Sequence, residues 1–399
     1  MAKQTKKKPV IMAIEKYLKD NYSFRYNLVT NRLEYKPKEA TSFELVSAFI
    51  LNSIYRDLTI QGFKTHIGTL RNILNSNFTP TYDPFKAYFK RLPKWDGKTD
   101  YIEQLASTVS TTNDALWKQC FKKWLVAMTA SLLEPKAINH TVIVFSGAQG
   151  LGKTSWMLKL VPNQLEEYVF SGTINPGNKD TLIHISETML VNLDELESLN
   201  KSQIGELKEL ITKNVVRVRK AYGVHAENLI RRASFAGSVN DMQFLNDTTG
   251  NRRFLCFEVS DIKYQHNINI DHVFAQALHL FKSGFQHWFD DKEIKLISTN
   301  NEQFQAMTME EELLLAYYEP CSQIDATDFL SATEVAAVLS EYKRFQISNG
   351  TKQNLGRALN KHKFLRLKKK GRYVYALSRT NQHSNNQPSS IQIDLNNLN

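Results

Sequence analysis

The sequence predicts an α/β protein: a three-layer αβα core set between a helical or mixed N-terminal module and a C-terminal winged helix. Three observations carry this. The β-branched run Thr141-Val-Ile-Val-Phe145 leads directly into a glycine-rich stretch and then a helical pattern. Further apolar runs at 189–193, 215–219, 233–239 and 253–259 read as strands, with helical periodicity between the first of them. Near the end, two helical segments precede a basic hairpin centred on Gly371.

A chain of 399 residues exceeds one ordinary domain. Its 51 Lys and Arg outnumber 40 Asp and Glu, a balance that suits a polyanionic partner. Cys120, Cys256 and Cys321 lie far apart and form neither a CxxC pair nor a Cys/His cluster at metal spacing, so a reduced, cytoplasmic protein is expected. The basic N-terminus leads into no signal-peptide stretch, and no apolar run approaches a membrane span, so no membrane partner is expected.

Taken in order, residues 1–8 form a basic tail and 9–88 a helical or mixed module, with helical spacing from Phe43 to Tyr55 and from Ile67 to Leu74. Pro80, Pro84 and Pro93 punctuate a connection, and helical stretches follow at 101–109 and 116–133 within a core domain of 89–295. A helical connector spans 296–324. The winged helix spans 325–378: Ser331-x-x-Glu334 is a capping box opening a helix at 332–342, a second helix covers 351–362, and two strands meet at Gly371. The Asn-, Ser- and Gln-rich tail 379–399 is expected to be flexible.

Gly147-Ala148-Gln149-Gly150-Leu151-Gly152-Lys153-Thr154 is a complete GxxxxGK[ST] loop in a strand-loop-helix setting, continued by Ser155. Backbone N–H groups of such a loop close around phosphate oxygens, Lys153 reaches the outer phosphates of ATP, and Thr154 coordinates Mg²⁺. Asp194-Glu195 ends an apolar strand, where Asp194 would share the Mg²⁺ and Glu195 polarise water. Small-molecule kinases rarely need that second acid. Asn240, at the end of the next strand, is a candidate for holding the attacking water. Arg252 and Arg253 suit a finger that completes a neighbouring subunit's site, a contribution of about 10³ to 10⁵ in kcat. His184, His140 and the tryptophans read as packing.

These motifs, above all Trp95-Asp96-Gly97 and Thr249-Gly250-Asn251-Arg252-Arg253-Phe254, resemble the virulence-associated protein E family of phage and mobile-element ATPases, over roughly residues 80–290. That family looks related to the superfamily 3 helicases. The resemblance implies an AAA+ P-loop NTPase core, ATP sites shared between subunits, and a homo-oligomeric, hexameric ring on DNA. It also implies a DNA-contacting β-hairpin between the Asp-Glu pair and the asparagine. Here that interval alternates apolar and basic residues and turns at Gly223, which nominates Arg217, Arg219, Lys220, Tyr222 and His225; no Lys-His pair stands at the turn. The lesser alternative for Arg217 and Arg219 is an ordinary solvated strand face. Lys208 falls where relatives carry a lysine that reaches a neighbour's ATP, or is a solvated helical lysine.

Lys361, Lys363, Arg366, Lys368, Lys369, Lys370 and Arg372 would give the winged helix a positive wing for duplex DNA. The function that follows is ATP-dependent helicase or translocase activity in replication of a phage or mobile element, with single-stranded DNA in a channel. The alternative is a nucleotide-gated DNA-binding switch or helicase loader that remodels an origin without processive unwinding. Gln392-Ile393-Asp394-Leu395 resembles a sliding-clamp docking peptide, although Asn396 departs from that pattern.

Overall fold

The structure, a computed structural model, describes residues 10–219, 225–240, 242–245, 250–369 and 371–380, apart from the Lys201 side chain. The basic tail 1–8, Lys220, Tyr222, Thr249, Lys370 and the clamp-like Gln392 to Leu395 lie outside the described residues. The chain forms two compact units that divide between Gln305 and Ala306.

The first unit opens with helix α1 (Val10–Asn21) and a hairpin of β1 (Tyr22–Asn27) and β2 (Arg32–Pro37). Strand β3 (Glu44–Leu45) and helices α2 (Ala48–Ile60) and α3 (Ile67–Leu74) follow, and β4 (Thr81–Tyr82) completes a sheet of order β3-β2-β1-β4. The helical spacing read from Phe43 starts too early. Glu44 and Leu45 pair with β2 instead, and the Ser47 hydroxyl, accepting from the Ile50 amide at 3.2 Å, sets the true start of α2. Asn27 closes the hairpin and uses its whole amide: it donates to Glu34 (2.7 Å) and the Tyr168 hydroxyl (2.8 Å), and accepts from the Val29 and Thr30 amides. Because Tyr168 belongs to the core of the larger sheet, this buried amide ties the module to it.

Helices α4 (Pro84–Arg91), α5 (Tyr101–Ala106) and α6 (Asp114–Leu133) precede that sheet, with β5 (Val109–Thr111) between the last two. Helix α5 ends before Val109, whose segment is drawn into an antiparallel edge pairing. Then come β6 (Val142–Ser146), α7 (Lys153–Leu158), β7 (Val169–Gly172), α8 (Lys179–Glu187), β8 (Leu190–Leu193) and α9 (Lys201–Thr212). A hairpin of β9 (Val215–Val218) and β10 (Glu227–Ile230), β11 (Ser234–Val239), β12 (Phe254–Ile262), α10 (Ile270–Lys282) and α11 (Asp291–Asn301) complete the unit.

Among the described residues the larger sheet has the order β5-β12-β6-β11-β8-β7, parallel throughout except at β5. Strand β6 shows why its residues are all apolar: side chains alternate between faces, so both faces must be buried. Ile143 and Phe145 pack with α4, α6 and α10, while Val142 and Val144 pack with α8, α9 and the β9–β10 hairpin. Trp117, Trp124 and Trp156 fill the first of these layers, as expected of them, whereas Trp288, His140 and His184, read as packing too, are exposed. No helix among the described residues is long and apolar enough to cross a membrane.

The second unit contains α12 (Met309–Tyr317), β13 (Tyr318–Pro320), β14 (Asp328–Leu330), α13 (Ala332–Tyr342), α14 (Asn349–Lys361), β15 (Arg366–Lys369) and β16 (Arg372–Arg379). Strands β13, β14 and β15 all pair with β16. The stretch expected as a connector up to residue 324 is therefore part of this unit from Ala306 onward: β13 is hydrogen-bonded to β16, and Leu314 and Tyr318 sit in its core. The capping box forms as read, with Glu334 accepting from the Ser331 amide at 2.7 Å and Ser331 accepting from the Glu334 amide at 3.3 Å.

Candidate functional site

Strand β6 delivers the glycine-rich loop to the carboxyl edge of the sheet. A Cβ on Gly147 would stand 2.7 Å from the Val259 carbonyl of β12, so only glycine lets the chain leave the sheet there. Helix α7 starts at Lys153, whose ammonium donates to the Gly147 and Ala148 carbonyls (2.6 and 3.0 Å) and to Asn240 Oδ1 (3.4 Å). Burial pulls the Lys153 pKa below its ordinary value, against the opposing pull of the Glu197 carboxylate. Residues 149–155, Asp194, Glu195, Ser238, Asn240 and Tyr264 line one cavity of about 540 Å³. The predicted nucleotide residues are thus together, joined by Tyr264, whose ring lies over Gly152.

Strand β8 brings Asp194 up beside the loop. Its Oδ1 accepts from Thr154 Oγ1 (3.1 Å) and Asn192 Nδ2 (2.9 Å), and its Oδ2 accepts from Ser171 Oγ (3.1 Å). Two cis ligands of an octahedral Mg²⁺ with bonds of 2.0–2.1 Å stand about 2.9 Å apart, so the Thr154–Asp194 pair fits that ion. No group of three or more His, Cys, Asp or Glu among the described residues makes a metal site by itself, so the remaining ligands would be phosphate and water. Glu195 is exposed and holds a left-handed backbone (φ 54°, ψ 49°). This turn sends Leu196 back into the core and stands Glu197 against Asn240. The turn packs so closely that a Cβ on Gly237 of β11 would collide with the Leu196 side chain and stand 3.0 Å from the Leu193 carbonyl.

Arg252 and Arg253 are elsewhere. They precede β12, whose first residue, Phe254, is registered against Val142, the first of β6. The pair therefore lies at the amino edge of the sheet, separated from the loop by a five-residue strand, about 15 Å. There they line a cavity of about 460 Å³ with Lys136, His140 and Trp288. Burial and the neighbouring Arg252 both lower the Arg253 pKa. Lys208 is at the same edge, only 6 % exposed, donating to Asn251 Oδ1 at 3.2 Å with its ammonium 5.9 Å from the Phe254 ring centre. That burial overturns the reading of Lys208 as a solvated helical lysine.

The family model of the virulence-associated protein E-like domain matches residues 89–306, more than half of the chain. The chain belongs to the virulence-associated protein E-like family. Solved apo structures of the NrS-1 C-terminal region also match. Two of them, both spanning its residues 305–718, are 13% and 14% identical with TM-scores of 0.49 and 0.47; a third is 13% identical with a TM-score of 0.44. Each match covers 94% of this chain and 100% of the other. No curated protein matches the sequence.

Within the matched region, Trp95-Asp96-Gly97 makes a turn and lines neither cavity just described. Asp96 accepts from the Thr99 hydroxyl and from the Lys98 and Thr99 amides, which hold its carboxyl down at about 2, and Trp95 packs on His279. The family domain also contains the β9–β10 hairpin. Val216 and Val218 face the core while Arg217 and Arg219 are exposed, and His225 is exposed just ahead of β10. Arg231 anchors the base: fully buried, it donates to the Lys213, Ala233 and Asn139 carbonyls, and burial lowers its pKa to about 9.

Two residues of this site lie outside the sequence motifs: Glu197, which accepts from both the backbone and the side-chain N–H of Asn240, and Tyr264. The Asp-Glu-Leu-Glu spacing was a signal for the first; for Tyr264 there was none. In the second unit the basic cluster of 361–372 is partly engaged. Arg372 pairs with Glu334 (2.9 Å), Lys369 stands over the Phe329 ring, and Lys361 pairs with Glu311 (2.7 Å). Lys368 is exposed, as is Arg366, which stacks on Tyr373 at 4.0 Å.

Proposed function

We propose that the chain is an ATPase with an AAA+ P-loop core and a C-terminal winged helix, working as a ring-shaped DNA helicase or translocase in the replication of a phage or mobile element. The observation that carries this reading is the division of one hydrolytic outfit between opposite edges of a sheet. The phosphate loop and acids occupy the carboxyl edge, and the buried lysine and paired arginines occupy the amino edge. A single copy cannot bring the two together, whereas neighbours in a ring can.

In this reading the loop amides of 147–155 cradle ATP, and Lys153 exchanges its carbonyl partners for β- and γ-phosphate oxygens. Thr154 and Asp194 hold Mg²⁺, which neutralises phosphate charge when bound. Glu195 takes a proton from the attacking water, and Asn240 holds that water in line. As the oxygen–phosphorus bond to water forms, the bond to the β–γ bridging oxygen breaks, and Arg252 and Arg253 of the next copy meet the developing charge. Exposed Arg217 and Arg219 support a hairpin that grips strand phosphates, and Arg366 and Lys368 support duplex contact by the second unit.

Strand displacement on a forked duplex tests this. ATP-dependent unwinding, absent in Lys153→Ala, is expected. ATP turnover without displacement would move the protein to a nucleotide-gated switch or loader, and no turnover at any protein concentration, with or without DNA, would end the reading.

A further inference from the structure

We infer that Glu197 is a positioning residue for hydrolysis: by accepting the side-chain N–H of Asn240 it turns the amide so that its oxygen, not its nitrogen, faces the nucleotide cavity. The inference rests on the ATPase reading of that cavity and specifies which end of Asn240 acts.

The geometry is over-determined. Glu197 Oε1 accepts from Asn240 N at 3.1 Å and from Asn240 Nδ2 at 3.3 Å, a two-pronged grip on one residue. A carboxylate has no hydrogen to donate, so only the NH₂ end of the amide can face it. The other end, Oδ1, then points to Lys153, whose ammonium lies 3.4 Å away. Lysine likewise donates and never accepts, so the two neighbours demand the same orientation. Glu197 is itself held by its turn: Leu196 is buried under β11, where the missing side chain of Gly237 leaves it room.

An asparagine presenting oxygen accepts a hydrogen bond from water and cannot donate one to a phosphate. Asn240 therefore orients the attacking water through one of its hydrogens, leaving the other for Glu195, and does not read the γ-phosphate directly. The second carboxylate oxygen of Glu197 is buried, with no hydrogen-bond partner among the described residues. That is an energetic cost carried at the site, and it fits a carboxylate kept to orient Asn240.

Three variants of the full chain test this: Glu197→Ala, Asn240→Asp, and Asn240→Asp combined with Glu197→Gln. Binding of a non-hydrolysable ATP analogue is followed by calorimetry, and turnover by phosphate release. Glu197→Ala frees the amide to flip, so kcat should fall on the order of 10²-fold, the scale of a misplaced catalytic contact. Analogue affinity should stay within about threefold, since no phosphate contact is lost. Asn240→Asp keeps the acceptor but sets two carboxylates face to face, and its kcat should also fall. In the double variant the introduced glutamine can donate to the introduced aspartate, so kcat should recover by about tenfold or more over Asn240→Asp alone. Unchanged kcat in Glu197→Ala, or a double variant no better than Asn240→Asp, would overturn the role of Glu197 while leaving the ATPase reading intact. A wild-type chain that neither binds the analogue nor releases phosphate would overturn both.

Discussion

Phe254 lies directly beside Val142 in the parallel sheet, so the arginines just before Phe254 and the glycine-rich loop just after β6 point out of opposite edges. Neither Arg252 nor Arg253 can reach the Lys153 of its own chain across that strand. Arg253→Ala and Lys153→Ala should each be inactive alone, the first losing about 10³- to 10⁵-fold in kcat if it supplies the finger. Mixed together they should regain part of the activity, because some interfaces pair an intact loop with an intact arginine. Turnover measured across mixing ratios checks this. Full wild-type activity in dilute monomer would refute the shared site.

Lys153 and Glu195 occupy the same cavity and should fail differently. Lys153→Ala removes the ammonium assigned to the phosphates, so fluorescent-nucleotide binding should be lost. Glu195→Gln leaves the cradle intact, so binding should persist while turnover disappears. Equal loss of binding in both would exclude the roles assigned to them.

Arg217 and Arg219 leave the core on the outward side of β9, while their neighbours Val216 and Val218 are buried. Replacing both arginines with alanine should spare DNA-independent ATP hydrolysis and the fold but uncouple hydrolysis from strand separation. Loss of basal hydrolysis to the same degree as unwinding would count against a DNA-gripping hairpin. In the second unit, Arg366→Ala with Lys368→Ala should weaken duplex binding and lower the slope of log affinity against log salt by roughly one for each phosphate contact removed.

Glu311 ties α12 to the end of α14, accepting from Lys361 Nζ at 2.7 Å and sharing a hydrogen bond with His362 Nε2 at 2.8 Å. Burial alone would raise its pKa, but Lys361 and His362 outweigh burial and hold it below the ordinary 4.5. A carboxylate lowered in the folded state adds stability that is complete above its unfolded value and drains away as pH falls through the folded one. Glu311→Gln should therefore be less stable than wild type at pH 7, with the gap in Tm narrowing once the pH drops below about 4.5. A gap constant from pH 7 to pH 3 would show that this ion pair does not stabilise the unit.

Much of this was legible because local chemistry dictated it. The glycine-rich loop, the two acids after an apolar strand and the Ser331–Glu334 box are each set by residues within a few positions of one another, and all three are where the sequence put them. What escaped the sequence depended on distant partners. Val109 leaves its helix because β12 offers an edge, and Lys208 is buried because Asn251 and Phe254 come to cover it. Glu197 meets Asn240 because a turn in the left-handed region swings it toward the end of a strand some forty residues further along. The arginine pair was recognisable by type, but its edge could be assigned only from the register of β12 on β6.

The buried amide of Asn27 bears on how the protein can be cut apart. The prolines at 80, 84 and 93 invite a boundary near residue 88, as though the first domain were a detachable accessory. Yet trimming there would split α4, since Phe85 belongs to the core of the larger sheet along with Tyr88, Phe89 and Val29, and would strip the Tyr168 hydroxyl of its donor. A shortened chain would begin life with a raw apolar scar and an orphaned phenol, neither of which lines the cavity of the glycine-rich loop. Inactivity of such a fragment would report broken masonry, and the duties of the missing domain are better sought by altering its surface than by removing it.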